Sequence, residues 1–156
     1  MNNEYKSILV PVDGSKYSEA ALNKAAEIAI RNEARLDVLN VINTTAFGFT
    51  YGVLSGDAIT QMVDGQIDYL KALVKKVQDK TGIKNIHMHV RFGNPKNVIC
   101  YDFTKDYHTD LIVMGATGKN ATERLLVGST ASYVNSHAMC DVLIVRTNLK
   151  NQQISN

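Results

Sequence analysis

The chain has 156 residues, 45% of them hydrophobic and 21% charged, with a formal net charge of +2. That length suits one domain of ~100–200 residues, and the balance of apolar and charged residues excludes disorder as the main state, as the few glycines and prolines exclude collagen-like or low-complexity chains. The charge is too small to argue for nucleic acid, and no apolar run approaches the ~18–20 residues of a membrane span.

The opening Met1-Asn2-Asn3-Glu4 shows no basic-then-apolar leader pattern, so a cytoplasmic location is expected. Cys100 and Cys140 are too few for a disulfide scaffold or a zinc site. They read as two buried or half-buried thiols in a reducing compartment.

Ser7-Ile8-Leu9-Val10-Pro11-Val12 is continuously apolar after its first residue, which predicts a strand buried on both faces. Pro11 has no amide proton for a ladder and marks the strand's end. Asp13-Gly14-Ser15 is a turn, and Ser18 a candidate N-cap. Ala21, Leu22, Ala25, Ala26 and Ala29 then fall at helical spacing, which predicts a helix over 18–32. The run 36–42 is the second strand, completing a βαβ unit.

Asn43–Gly56 carries three glycines and the aromatics Phe47, Phe49 and Tyr51, and reads as a loop or lid. Asp57 is the candidate cap of the next helix. Its apolar stripe runs from Ile59 to Val77 at spacings of three and four, and Gly82 stops it. His87-Met88-His89-Val90-Arg91-Phe92 alternates and predicts a third strand with one wet face. His87 and His89 share that face, a solvated sheet edge rather than a metal pair.

Gly93-Asn94-Pro95 starts the third helix. Residues 110–114 form a fourth buried strand. Ser129–Ala138 is a short fourth helix, Asp141–Arg146 the fifth strand, and 147–156 a polar, frayed tail.

The whole chain, 1–156, therefore reads as one doubly wound α/β domain with a five-stranded parallel sheet. The strands with the most continuous apolar runs, the first and fourth, belong at the centre, giving the order 3-2-1-4-5 with helices on both faces. Ligands of such folds lie beyond the carboxyl ends of the strands where the winding reverses. Two segments meet there: Val10-Pro11-Val12-Asp13-Gly14-Ser15, and Met114-Gly115-Ala116-Thr117-Gly118 with Gly128-Ser129-Thr130. Gly115 and Gly118 would let a backbone pass close to a ligand. Gly128-Ser129-Thr130 opens a helix, whose unpaired amides and partial positive charge suit phosphate.

Gly115 and Gly118 with two residues between them, then nine residues, then Gly128-Ser129 resemble the nucleotide-binding signature of the universal stress protein family. The resemblance covers nearly the whole chain: residues 8–15 resemble the family's first strand and turn, Gly93-Asn94-Pro95 its third-strand turn, and 142–145 its closing strand. Every motif glycine is present, as in the ATP-binding branch.

The resemblance implies that Asp13 lies beside the ribose or the metal-bound phosphates. Pro11, Val12 and Val41 would line the adenine slot. Met114, Gly115, Ala116 and Gly118 would hold the ribose side, and Gly128, Ser129 and Thr130 the phosphates. Arg124 has the reach for the terminal phosphate, or is simply a solvated arginine. ATP, with magnesium carried by the phosphates, is the implied ligand, and a homodimer through Asp141–Arg146 the implied assembly. No nucleic acid or membrane partner is expected.

Competing enzyme patterns fit less well. Gly118-Lys119-Asn120 lacks the frame of a P-loop. Asp13-Gly14-Ser15 supplies no dinucleotide fingerprint, and Gly128-Ser129-Thr130 is no nucleophile elbow. Ser129 and His137 stand about 12 Å apart along a helix at 1.5 Å per residue, too far for a catalytic pair. The expected function is an ATP-binding stress-response regulator with little or no turnover and no catalytic residue assigned. The alternative is a slow ATPase or nucleotidyl-transfer enzyme on the same scaffold.

Overall fold

The structure is a computed structural model that describes residues 5–45, 55–118 and 127–155. In chain order the elements are β1 (Ser7–Pro11), α1 (Lys16–Asn32), β2 (Arg35–Asn43), α2 (Gly56–Thr81) and β3 (Ile86–Gly93). There follow α3 (Pro95–Asn97), a π-helical segment (Val98–Asp102), α4 (Phe103–Tyr107), β4 (Leu111–Gly115), α5 (Ser129–His137) and β5 (Asp141–Val145).

All strand pairs are parallel, and the order is β3-β2-β1-β4-β5, as the apolar runs predict. Alternation along each strand splits the core in two. Ile8, Val10, Leu36, Val38 and Val113 face α1 and α2. Leu9, Leu39, Ile112 and Met114 face the other way, onto Val98, Phe103, Ala131 and Val134. Five buried alanines of α1 (20, 21, 25, 26 and 29) bring that helix close to the sheet.

Several boundaries differ from the sequence expectation. Ser15, not Ser18, caps α1: its hydroxyl accepts from the Ser18 amide at 3.1 Å, so the helix begins at Lys16. Ser55 caps α2 in the same way, and Asp57 sits inside the first turn. The third helix is broken into α3, the π-helical segment and α4. The tail is not frayed over its described residues. Thr147 bridges Gln153, and Lys24 Nζ reaches Thr147 Oγ1 at 2.8 Å, tying the tail to α1. Of the loop 43–56, residues 46–54 lie outside the described residues, as do Lys119 and Arg124.

His89 is not on a solvated edge. Its Nε2 lies 2.7 Å from Asp37 Oδ1, and its ring packs edge-on to Phe103. Asp37 is wholly buried, and Arg35 Nη2 reaches its Oδ1 at 2.9 Å. Periodicity assigns His89 a face; only the packing of α4 over that face turns a wet position into a half-buried one.

Burial alone would raise the Asp37 carboxyl. Hydrogen bonds from His89 and Arg35, with their charges, outweigh it and hold the carboxyl below its ordinary value of 3.8. A group depressed by folding stabilises above its unfolded pKa and loses that contribution as pH falls through the folded one. Chemical unfolding across pH should therefore show stability declining once pH drops below about 4. Asp37→Asn should flatten that acid limb, and an unchanged limb would show that the network contributes nothing.

Candidate nucleotide site

β1 ends at Pro11, and the chain leaves the sheet through Val12 and Asp13. Val12 N donates to Leu39 O at 2.8 Å, and the buried Asn40 side chain donates to Val12 O at 3.0 Å, so this exit is pinned to β2. Asp13 Oδ1 accepts the Ser15 amide at 3.0 Å in a turn that Gly14 completes with φ of 86°. That left-handed conformation favours glycine.

Beyond β4, Ala116 N donates to Val145 O, and Gly128 N donates to Ala116 O at 2.7 Å. The second bond closes the excursion between them and delivers the start of α5 to the end of β4. Gly128 is the N-cap of α5, in extended conformation and with no side-chain cap bond. Among the described residues no side chain caps the first-turn amides. A Cβ on Gly118 would lie 2.6 Å from Asp13 Oδ2, so the exits of β1 and β4 touch.

One rim therefore brings together Asp13, Gly118, Gly128, Ser129 and Thr130, all at least partly exposed. Strand alternation puts Pro11 and Val41 on the face that α5 covers, where Val41 packs beside the second core cluster. Both are partly accessible.

Three expected residues sit deeper. Val12 is 4% exposed, with its side chain in the core on the α1 side. Met114 and Ala116 are also buried, which leaves their backbone as what a ligand would meet. Gly115 answers a packing demand: a Cβ there would come within 2.7 Å of the Tyr17 carbonyl carbon of α1.

Two residues escaped the sequence reading. Tyr69, on α2, lies under the β1–α1 turn. Burial, then the charges of Glu19 and Asp13, push its phenol up to about 12. Nothing in α2's periodicity marks it, because the crossing of α2 over that turn is a tertiary fact. Thr117 lies inside the motif with its Oγ1 buried and without a hydrogen-bond partner among the described residues. A hydroxyl within a glycine-bearing turn is the signal that would have found it.

The fold and this rim define a doubly wound α/β domain with an anion-suited helix terminus at its switch point. The sequence profile of the universal stress protein family matches residues 4–146. A universal-stress relative from Staphylococcus saprophyticus is 41% identical over 143 residues, covering 92% of this chain and 84% of its own length. One from Staphylococcus aureus is 38% identical, covering 92% and 85%. Among solved structures, the universal stress protein UspA of Lactobacillus plantarum superposes with a TM-score of 0.76 at 35% identity, covering 93% of this chain and all of that one. The chain belongs to the universal stress protein family.

Proposed function

We propose that this chain is a cytoplasmic regulator that holds ATP beyond β1 and β4 and turns it over slowly if at all. The observation that carries the reading is the approach of Gly118 to Asp13 beside the uncapped first turn of α5. Gly128, Ser129 and Thr130 would hold the phosphates through backbone amides and hydroxyls. Asp13 would take a ribose hydroxyl or the water shell of a phosphate-bound magnesium, since a carboxylate repels bare phosphate. Pro11 and Val41 would flank the base. Met114, Gly115, Ala116 and Gly118 would present backbone to the ribose, and Val12 its backbone to the base.

Two universal stress proteins with this fold were solved with cAMP and with dAMP, at TM-scores of 0.62 and 0.63. Their identities of 22% and 21% carry the fold; the ligand argument rests on this chain's own rim. Mass spectrometry of ligand released from purified protein is the direct test. ATP should appear, and a protein that is empty and also gives no calorimetric signal with ATP would overturn the reading.

Turnover should be slow. Phosphoryl transfer needs a positioned nucleophile and cationic stabilisation of the transferring group. Amides and hydroxyls that hold ground state and transition state alike tighten binding without raising the rate. Steady-state phosphate release should fall well below the ~1–100 s⁻¹ of kinases. Release of several per second, lost in Asp13→Ala, would make this protein an enzyme instead.

The protein should also be a homodimer through β5. That strand is an edge, with Val142 and Ile144 half-buried and Leu143 38% exposed. An unprotected apolar edge invites a second strand, and a two-fold axis would pair β5 with its copy in antiparallel fashion. Light scattering at micromolar concentration should give a dimer, and Ile144→Pro a monomer. A monomeric parent, or a proline variant that dimerises normally, would refute this interface.

A further inference from the structure

Lys96 stands in the first turn of α3, just past the carboxyl end of β3, where Gly93 pairs with Asn43 at the end of β2. Asn94 caps that turn: its side-chain oxygen accepts the Lys96 amide at 2.9 Å. α3 packs against α5. Val98, directly after α3, shares the second core cluster with Ala131 and Val134 of α5, so both helices cover one face of the sheet. Each follows the carboxyl end of its strand, β3 or β4, and so begins at the same rim. The Lys96 backbone is thereby fixed beside the candidate nucleotide site.

The ammonium is held toward α5. Lys96 Nζ lies 5.7 Å from the centroid of the Tyr133 ring, within cation–π range. That ring is itself fixed: it stacks on His137 at 4.0 Å with the planes 14° apart, and its hydroxyl lies 3.3 Å from the Tyr101 hydroxyl. Tyr133 follows Ser129 by four residues, so the two share a face of α5 with Cβ atoms about 5–6 Å apart. A helical side chain leans toward the N-terminus of its helix, so the Tyr133 ring covers the turn that Ser129 begins. Among the described residues no carboxylate pairs with Lys96. One helical turn from the residues read as the phosphate cradle, a lysine thus rests on a ring with no counter-ion.

We propose that Lys96 determines the specificity of the rim for a nucleotide with a phosphate chain over a nucleoside monophosphate, its ammonium engaging the phosphates beyond the first. This rests on the nucleotide reading of the rim and adds to it the choice among nucleotides. An ammonium is a compact point charge with three donors on a flexible four-carbon stem. That stem spans the remaining turn, about 6 Å at 1.5 Å per residue. An exposed cation–π contact is weak beside a charge-assisted bond to phosphate, so leaving the ring costs little. A monophosphate ends before the chain that the ammonium would meet. A lysine alone supplies no positioned nucleophile, so it adds to binding while turnover stays slow.

The test is calorimetry on the full chain with ATP and with AMP, in one magnesium buffer at fixed ionic strength. The parent should bind ATP about tenfold more tightly than AMP. Lys96→Gln should weaken ATP about tenfold, the size of one charge-assisted bond, and leave AMP within about twofold. It should also blunt the loss of ATP affinity with rising salt. Lys96→Arg keeps the charge and should keep most of the preference. Lys96 belongs to neither core cluster, so both variants should fold as the parent does. A parent that binds ATP and AMP alike would overturn this assignment. So would ATP affinity unchanged in Lys96→Gln, or equal losses for the two nucleotides. Those results leave the nucleotide site standing, whereas a parent that binds neither removes the nucleotide reading and this assignment with it.

Discussion

Gly118→Val should leave the protein folded and abolish ATP binding. A Cβ at this position would stand 2.6 Å from Asp13 Oδ2, the end of a side chain rather than backbone. The carboxylate can rotate away, so the fold yields at little cost. Rotation, however, moves Asp13 out of the rim, and the valine side chain occupies the space where a ribose would pass the loop. A micromolar site is worth about 8 kcal/mol of binding free energy. At a ligand concentration a hundredfold above Kd, such binding stabilises the native state by ~2.7 kcal/mol. For a chain of this size that is a rise in Tm of roughly 5–10 °C. The parent should show this rise with ATP, and the variant should melt at the parent's ligand-free temperature with no response to nucleotide. A variant that responds like the parent would remove Gly118 from the site.

Gly115→Ala should do the reverse and cost stability with or without nucleotide. Here the added carbon would meet the Tyr17 carbonyl carbon at 2.7 Å, Tyr17 Cβ at 2.8 Å and Ser18 N at 2.9 Å, all at the first turn of α1. Backbone cannot rotate aside as a carboxylate can, so α1 must shift off the sheet. Overpacking of this kind typically costs about 1–3 kcal/mol, a large share of a total near 5–15 kcal/mol. Urea unfolding should show a lower midpoint of that size. An unchanged midpoint would mean that α1 does not lie this close to β4. The two glycines of one motif are thus separable by experiment: one answers to the helix behind it, the other to the space in front.

The chain's own residues determined the strand order. Continuous apolar runs in β1 and β4 need cover on both faces, and only central strands of a parallel sheet receive it. Burial bears this out at Ile8, Leu9, Val10, Ile112 and Val113, all fully buried. The glycine spacing likewise marked the switch point, because a close backbone approach demands glycine whatever surrounds it.

Tertiary structure decided what local pattern cannot encode. Ser15 and Ser18 are equally good caps by composition; the actual hydrogen bond chose Ser15. His89 reads as solvated until α4 lays Phe103 against it. The tail reads as frayed until Lys24 of α1 reaches Thr147. Gly115 must lack a Cβ for a reason the motif does not show, because α1 crosses the end of β4 there. Tyr69 approaches the β1–α1 turn only because elements distant in sequence pack together. Periodicity and turn chemistry act over a few residues and fix which face a side chain takes. What stands opposite that face depends on long-range packing, which no local pattern contains.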